Sequence, residues 1–180
     1  MRFPHNIICI DIESTDSDKH KGSVIQIGAV IVNMDFEIET TRREFNMYIK
    51  PLDSHRNPEA MAVNKITEET LVAAINLNDA LNIFEGFCGS DKELASWGAY
   101  FDIPFMRAQY TKIDRDWPFG YRCFDLKSAA IWESAKHDKP MTSGVMRFLK
   151  SINKEFEGTP HDALSDIKNT VRILEYYKGR

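Results

Sequence analysis

Near its start the chain runs through four apolar residues, Ile7 to Ile10, straight into the alternation Asp11-Ile12-Glu13. A continuous apolar run suits a strand covered on both faces, and the alternation marks where that strand leaves the core. Residues two apart on a strand project to the same side, so Asp11 and Glu13 point together while Ile12 points inward. Two carboxylates side by side at the end of a buried strand repel each other and lose hydration. A hard cation held by oxygen ligands would compensate them. A pair of solvated rim acids is the plainer alternative, and these two residues alone do not decide between the two.

The rest of the pattern places this strand in a sheet. Val24 to Val32 is a second strand, and Phe45 to Ile49 alternates and ends before Pro51 as a third. The link around Asn33 to Asp35 is short enough for an antiparallel connection. Pro58 to Asn64 reads as a short helix capped by Asn57, with proline at its first position. Thr67 to Thr70 opens another helix, and Asp79 to Phe87 spaces its apolar residues helically. Leu94 to Phe101 reads as a strand stopping at Asp102, which would cap the next helix with Pro104 in its first turn. Phe124 to Leu126 is a short strand before a helix toward Trp132, and Gly144 to Ile152 is helical. The last helix runs from about Ala163 to Tyr177, with Leu164, Ile167, Val171 and Leu174 as its buried stripe. Strands first and helices interleaved later predict an α/β fold with a mixed sheet. No repeat, low-complexity tract or linker divides the 180 residues, so 1–180 is expected to form a single domain.

A net charge of −4 argues mildly against a broad grip on duplex DNA, but not against a small acidic pocket that holds a strand end. No apolar stretch is long enough to span a bilayer, and no signal-peptide pattern leads the chain, so a cytoplasmic protein with no membrane partner is expected. Cys9, Cys88 and Cys123 lack metal-ligand spacing and read as buried free thiols.

Three segments carry candidate chemistry. They are Asp11 to Thr15, Trp97 to Asp102, and His161 to Asp166. Taken singly, Asp102 and Asp162 read as helix caps, and His161 and Asp166 as surface residues. Together and in this order they resemble the DEDDh exonuclease superfamily, which includes ribonuclease T and oligoribonuclease. The motif D-x-E-x-T matches Asp11, Glu13 and Thr15; the second aspartate matches Asp102 after Phe101; H-x-A-x-x-D matches His161, Ala163 and Asp166. Gln26-Ile27-Gly28-Ala29 and the strand end from Tyr48 to Pro51 also fit, so the resemblance covers nearly the whole chain. It implies a ribonuclease H-like fold whose mixed five-stranded sheet is flanked by helices.

The resemblance also implies an activity: 3′-to-5′ hydrolysis of single-stranded RNA or DNA ends, RNA favoured, with release of nucleoside monophosphates. Asp11, Glu13, Asp102 and Asp166 would hold two Mg²⁺ ions, with Mn²⁺ able to substitute. His161 would serve as general base, since imidazole exchanges protons near neutral pH. Ser14 and Thr15 would meet the terminal 3′-hydroxyl. Pro58 to Ile66 is similar to a ribonuclease T stretch whose glutamate and phenylalanine contact terminal bases; Glu59 is kept, while Val63 replaces the aromatic. Phe101 and Tyr121 would stack bases. Glu157-Gly158-Thr159 resembles small standalone exoribonucleases, and a homodimer is implied by the ribonuclease T likeness.

Two other readings stand beside this one: a DNA-directed exonuclease of repair or proofreading type, and a catalytically silent binding module on the same fold. Asp125 reads as a structural cap. Arg42-Arg43 and Lys19-His20-Lys21 read as solvated runs. Lys168 and Arg172 share a helix face that either meets phosphates or water, and Trp97, Trp117 and Trp132 read as packing residues.

Overall fold

A computed structural model describes residues 5–33, 35, 37–38, 44–136 and 144–178. The apolar start of the chain becomes strand β1 (Ile7–Ser14), and the Val/Ile-rich segment becomes β2 (Val24–Val32), buried along its whole length. They pair antiparallel, with Asp11 opposite Gly28 and Glu13 opposite Gln26. The short link around Asn33 to Asp35 brings Ile38 antiparallel to Val32, as expected, and strand β3 (Phe45–Tyr48) adds antiparallel to β2 farther on. Three short helices follow: α1 (Pro58–Asn64), α2 (Glu68–Ala73) and α3 (Leu77–Cys88). Asn57 caps α1 by accepting from the Glu59 and Ala60 amides, and Thr67 caps α2, as their sequences predict.

Strand β4 (Leu94–Ser96) joins β1 in parallel, and β5 (Cys123–Asp125) joins β4 in parallel. The sheet order is β3-β2-β1-β4-β5, so the expected mixed five-stranded sheet is present with β1 at its centre. The chain closes with α4 (Ala99–Lys112), between β4 and β5, then α5 (Leu126–Lys136), α6 (Val145–Ser151) and α7 (Ala163–Lys178).

The strand expected from Leu94 to Phe101 is shorter than its sequence suggests. Gly98, at φ 107°, turns the backbone through the left-handed region, and α4 begins at Ala99. Asp102 therefore lies inside the first turn of α4 instead of capping it, and Pro104 falls beyond that turn.

The two faces of the sheet have separate cores. Ile8, Ile10 and Ile12 of β1 pack with Leu81 and Phe84 of α3 and Met106 and Tyr110 of α4. Ile7 and Cys9 face the other way, against Ile167, Val171 and Leu174 of α7. The period of two places Asp11 and Glu13 on this second face, beyond the end of the apolar stripe of α7. That stripe stops where the acids begin. Cys123 is exposed where a buried thiol was expected, although Cys9 and Cys88 are buried, and Trp132, 69% exposed, lies outside the core.

Candidate active site

The first turn of α7 lies over the carboxyl end of β1, and residues of β2 hold it there. The Gln26 side-chain amide donates to Asp162 Oδ2 at 2.7 Å and to Asn46 Oδ1 at 2.9 Å. Its oxygen accepts from the Ala163 backbone N–H at 3.3 Å. The other Asp162 oxygen accepts from the Ser165 N–H and hydroxyl at 3.0 and 2.9 Å, so Asp162 is a helix cap, as expected. Asp166 follows one turn later and points toward Glu13. The loop entering α7 is tied down by Asn169, which accepts from the Glu157 N–H and donates to the Glu157 carbonyl. His161 ends that loop with φ 63°, and its backbone N–H donates to Asp166 Oδ2 at 2.9 Å.

These elements bring together acids far apart in sequence. One ligand atom each from Glu13, His161 and Asp166 lies within 4.8 Å of the others. Asp11 and Asp102 join this group through their charges. Burial raises the Asp11 carboxyl well above the usual range, reinforced by Asp102, Glu13, Asp166 and Asp162. Glu13 is pushed up to about 8 by burial, then by Asp166, Asp102 and Asp162. Asp102, only 4% exposed, is raised to about 7 by burial, against the opposing pull of the Ile12 backbone. Asp166 rises to about 6, again mainly from burial, while the His161 N–H and charge resist.

Among the described residues, no lysine or arginine acts on these four carboxylates. Four clustered acids with neither lysine nor arginine acting on them form an all-oxygen donor set of the kind that suits a hard divalent ion. Asp162 is the acid that sequence reasoning assigned to capping alone. Its charge also acts on Asp11, Glu13 and Asp166.

The other expected residues are placed as follows. Ser14 is buried; its hydroxyl donates to the Asp16 carbonyl at 2.7 Å, and its own carbonyl accepts from the Asn64 amide at 3.1 Å. Thr15 is fully buried and exchanges hydrogen bonds with Ser23 through its N–H and its hydroxyl oxygen. Both residues thus fasten the end of β1 to its flanking loop and to α1. Glu59 stands exposed in the first turn of α1, with Val63 49% exposed on the same helix. Phe101 is half-buried, its ring 5.5 Å from Phe105. Tyr121 is 89% exposed and lines a groove along α4.

Asp125 accepts from the Gly98 N–H and the Ser128 hydroxyl, in agreement with a capping role. Lys168 pairs with Glu44 and Arg172 with Glu157, each at 2.7 Å, which occupies both cations of the α7 face. Arg42 and Arg43 lie outside the described residues. None of the described helices is long and apolar enough to cross a membrane.

Similarity to known proteins agrees with this arrangement. A 3′-5′ DNA exonuclease of Escherichia coli, Cap18, is 26% identical over 174 residues, covering 93% of this chain and 88% of its own length. The nuclease domain of 3′hExo, described as a DEDDh family member bound to rAMP, superposes with a TM-score of 0.77 at 19% identity, covering 96% of this chain and 90% of that one. Exonuclease I of E. coli in complex with a dA16 oligonucleotide gives a TM-score of 0.83 at 18% identity, where this chain spans 41% of that protein's length. The RNase_T family model, described as exonuclease, matches residues 8–174, a span holding all three motifs. The DEDDh resemblance read from the sequence therefore stands, and the chain belongs to the exonuclease family.

Proposed function

We propose that residues 1–180 act as one 3′-to-5′ exonuclease domain that removes nucleoside monophosphates from the end of single-stranded nucleic acid. The observation that carries this reading is the meeting of Glu13 and Asp166 beside His161, with Asp11 and Asp102 coupled to them by charge and no lysine or arginine among the described residues acting on the four acids. The family uses divalent metal ions, and the donor set here fits them. We assign Mg²⁺, with Mn²⁺ as a substitute, to Asp11, Glu13, Asp102 and Asp166. When bound, a pair of such ions would neutralise charge developing at the scissile phosphate.

The protein's own groups do the rest. His161, exposed and next to Glu13 and Asp166, accepts the proton of the attacking water. The water oxygen bonds to phosphorus and the bond from phosphorus to the upstream O3′ breaks; the terminal nucleotide leaves as its 5′-monophosphate, and the departing O3′ takes a proton from water to become the 3′-hydroxyl of the shortened strand. The Asp166 carboxylate accepts the His161 backbone N–H, which fixes the turn that carries the imidazole. Glu59 and Phe101 are assigned to the terminal bases, and the backbone at Ser14 and Thr15 to the terminal sugar.

The expectation that RNA is favoured rests on the likeness of Pro58 to Ile66 to ribonuclease T. A second reading, DNA as the substrate, is favoured by the DNA exonuclease relative that matches 93% of the chain. The ribose 2′-hydroxyl distinguishes the two at any site. Hydrolysis of 5′-labelled RNA and DNA single strands, with Mg²⁺ and with chelator, tests both. A ladder shortening from the 3′ end is expected; chelator-resistant or purely internal cutting would refute the reading. A homodimer is proposed on the ribonuclease T likeness alone and is tested by sedimentation.

A further inference from the structure

A groove of about 760 Å³ runs along α4, within the range of ordinary ligand sites (roughly 300–1,000 Å³). Its walls include Lys19 and His20 from the loop after β1, Tyr100 and Arg107 from α4, and Tyr121 and Asp125 around β5. Tyr100 is 73% exposed and Tyr121 is 89% exposed. Neither ring contributes to a core. Each has a cation nearby instead: Lys127 Nζ lies 5.9 Å from the Tyr100 centroid, and the Arg122 guanidinium 5.9 Å from that of Tyr121.

The charges of this groove are unbalanced. Among the described residues, no carboxylate forms an ion pair with Lys19, Arg107 or Lys127, in a chain whose net charge is −4. The acid in the groove, Asp125, is already bound to the Gly98 N–H and the Ser128 hydroxyl. Arg107 lies over the Trp117 ring at 5.2 Å, a contact that leaves its N–H edges available to an anion. Two features tie the groove to the acid cluster. Asp125 acts electrostatically on Asp102, and Lys19 and His20 belong to the loop that leaves β1 just after Glu13 and Ser14.

We infer that this groove holds the nucleotides upstream of the terminal one, with phosphates toward Lys19, His20 and Arg107 and bases stacked on Tyr100 and Tyr121. This rests on the proposed exonuclease reading and extends it to the body of the strand. Exposed aromatic faces beside a basic track accept any base sequence and require unpaired bases. The occupant is therefore a single strand, several nucleotides long. Tyr121 thereby serves the upstream strand instead of the terminal base.

The test compares Tyr100→Ala and Arg107→Ala with the unaltered protein on a dinucleotide and on a twelve-nucleotide single strand, both labelled at the 5′ end. Both side chains line the open groove, so the variants keep the fold. For Tyr100→Ala we expect the KM of the long strand to rise about tenfold with kcat unchanged, and the KM of the dinucleotide, which has one upstream nucleotide, to rise less. For Arg107→Ala, the plot of log affinity against log salt loses about 0.7 of its slope. Equal changes on both substrates, or none on the long strand, overturn the inference. So does a duplex end held as tightly as a single strand. Fluorescence anisotropy of the labelled twelve-nucleotide strand in chelator tests the groove without hydrolysis: a Kd about tenfold weaker in each variant supports it, and an unchanged Kd overturns it. If the unaltered protein shortens no strand, the exonuclease reading fails, and the anisotropy result still decides the groove.

Discussion

A Cβ added to Gly28 would lie 2.2 Å from the Leu164 backbone nitrogen and 2.3 Å from the Ala163 carbonyl carbon. Gly28 is also the β2 partner of Asp11, so the missing side chain lets α7 settle onto the sheet beside the acids. Both clashing atoms are backbone and cannot swing away. Gly28→Ala should therefore lift the first turn of α7 and carry Asp166 and His161 away from Glu13. Overpacking of this kind costs about 1–3 kcal/mol, or several degrees of melting temperature in a chain of this size. Activity should fall at least about a hundredfold, because an ångström of misplacement is enough. Gly86, in the last turn of α3, is the control, since a Cβ added there would meet nothing within 4 Å. Gly86→Ala should raise stability by about 0.5–1 kcal/mol and leave activity alone. Thermal melts and exonuclease rates of the two variants check both.

The acid cluster makes metal-free stability depend on pH with a definite sign. Glu13, Asp102 and Asp166 are raised to about 8, 7 and 6, above the ordinary range for carboxyls. Between the unfolded and folded values the folded state binds more protons, so stability falls as pH rises from about 4 toward 8. Asp16 works in the opposite direction. It is lowered to about 2 by the Asp18 N–H, His55 and Asn57, and its contribution is lost as pH falls from about 4 toward 2. The melting temperature in chelator should therefore peak between about pH 4 and 5. Millimolar Mg²⁺ should restore several degrees at pH 8 and far less at pH 5. A chelator profile that rises steadily to pH 8 would contradict the arrangement.

The same electrostatics separate stability from activity at Asp11. Its carboxyl is buried and opposed by four other acids, so Asp11→Asn removes a repelling charge. We expect the variant to melt at a higher temperature than the parent in chelator at pH 8, to lose the stabilisation by Mg²⁺, and to show no hydrolysis. Calorimetry with and without Mg²⁺, beside the labelled-strand assay, reads all three. Retained activity would defeat the assignment of Asp11.

How much of this was legible in the sequence follows from the range of the interactions involved. The strand from Ile7, the helix capped by Asn57 and the stripe of α7 all rest on local periodicity or a cap within three residues, and they appear as read. The end of β4 was missed because Ala99 to Phe101 carry two strand-favouring aromatics, while the turn depends on the left-handed backbone of Gly98. The cluster of Asp11, Glu13, Asp102, His161 and Asp166 was visible only as motif spacing, since no local rule joins β1 to α7. The seat made by Gln26 is less visible still. It bonds Ala163 across 137 residues, and its sequence signal is a single polar residue in an otherwise apolar strand. Such a residue is worth asking about, because a buried amide needs partners.

That amide supports the last prediction. Gln26 is 1% exposed and its two ends hold Asp162 and the Ala163 N–H at once. Gln26→Leu would keep the size and burial of the side chain but leave Asp162 Oδ2 and the first amide of α7 without this partner. The loss of buried partners costs about 1–3 kcal/mol. A purely structural role would end there, with a lower melting temperature and unchanged kinetics below it. If Gln26 positions the start of α7, kcat should fall at least tenfold at temperatures where the protein is fully folded, because the turn bearing His161 and Asp166 brackets Asp162 directly. KM for a short strand should stay within about twofold, since Gln26 lies beneath the helix and not against the bases. Gln26→Glu separates the two further: it keeps an acceptor for Ala163 but sets a carboxyl against Asp162, so it should lose more activity as pH rises. A Gln26→Leu enzyme with the parent's kcat would mean that α7 finds its place without this seat.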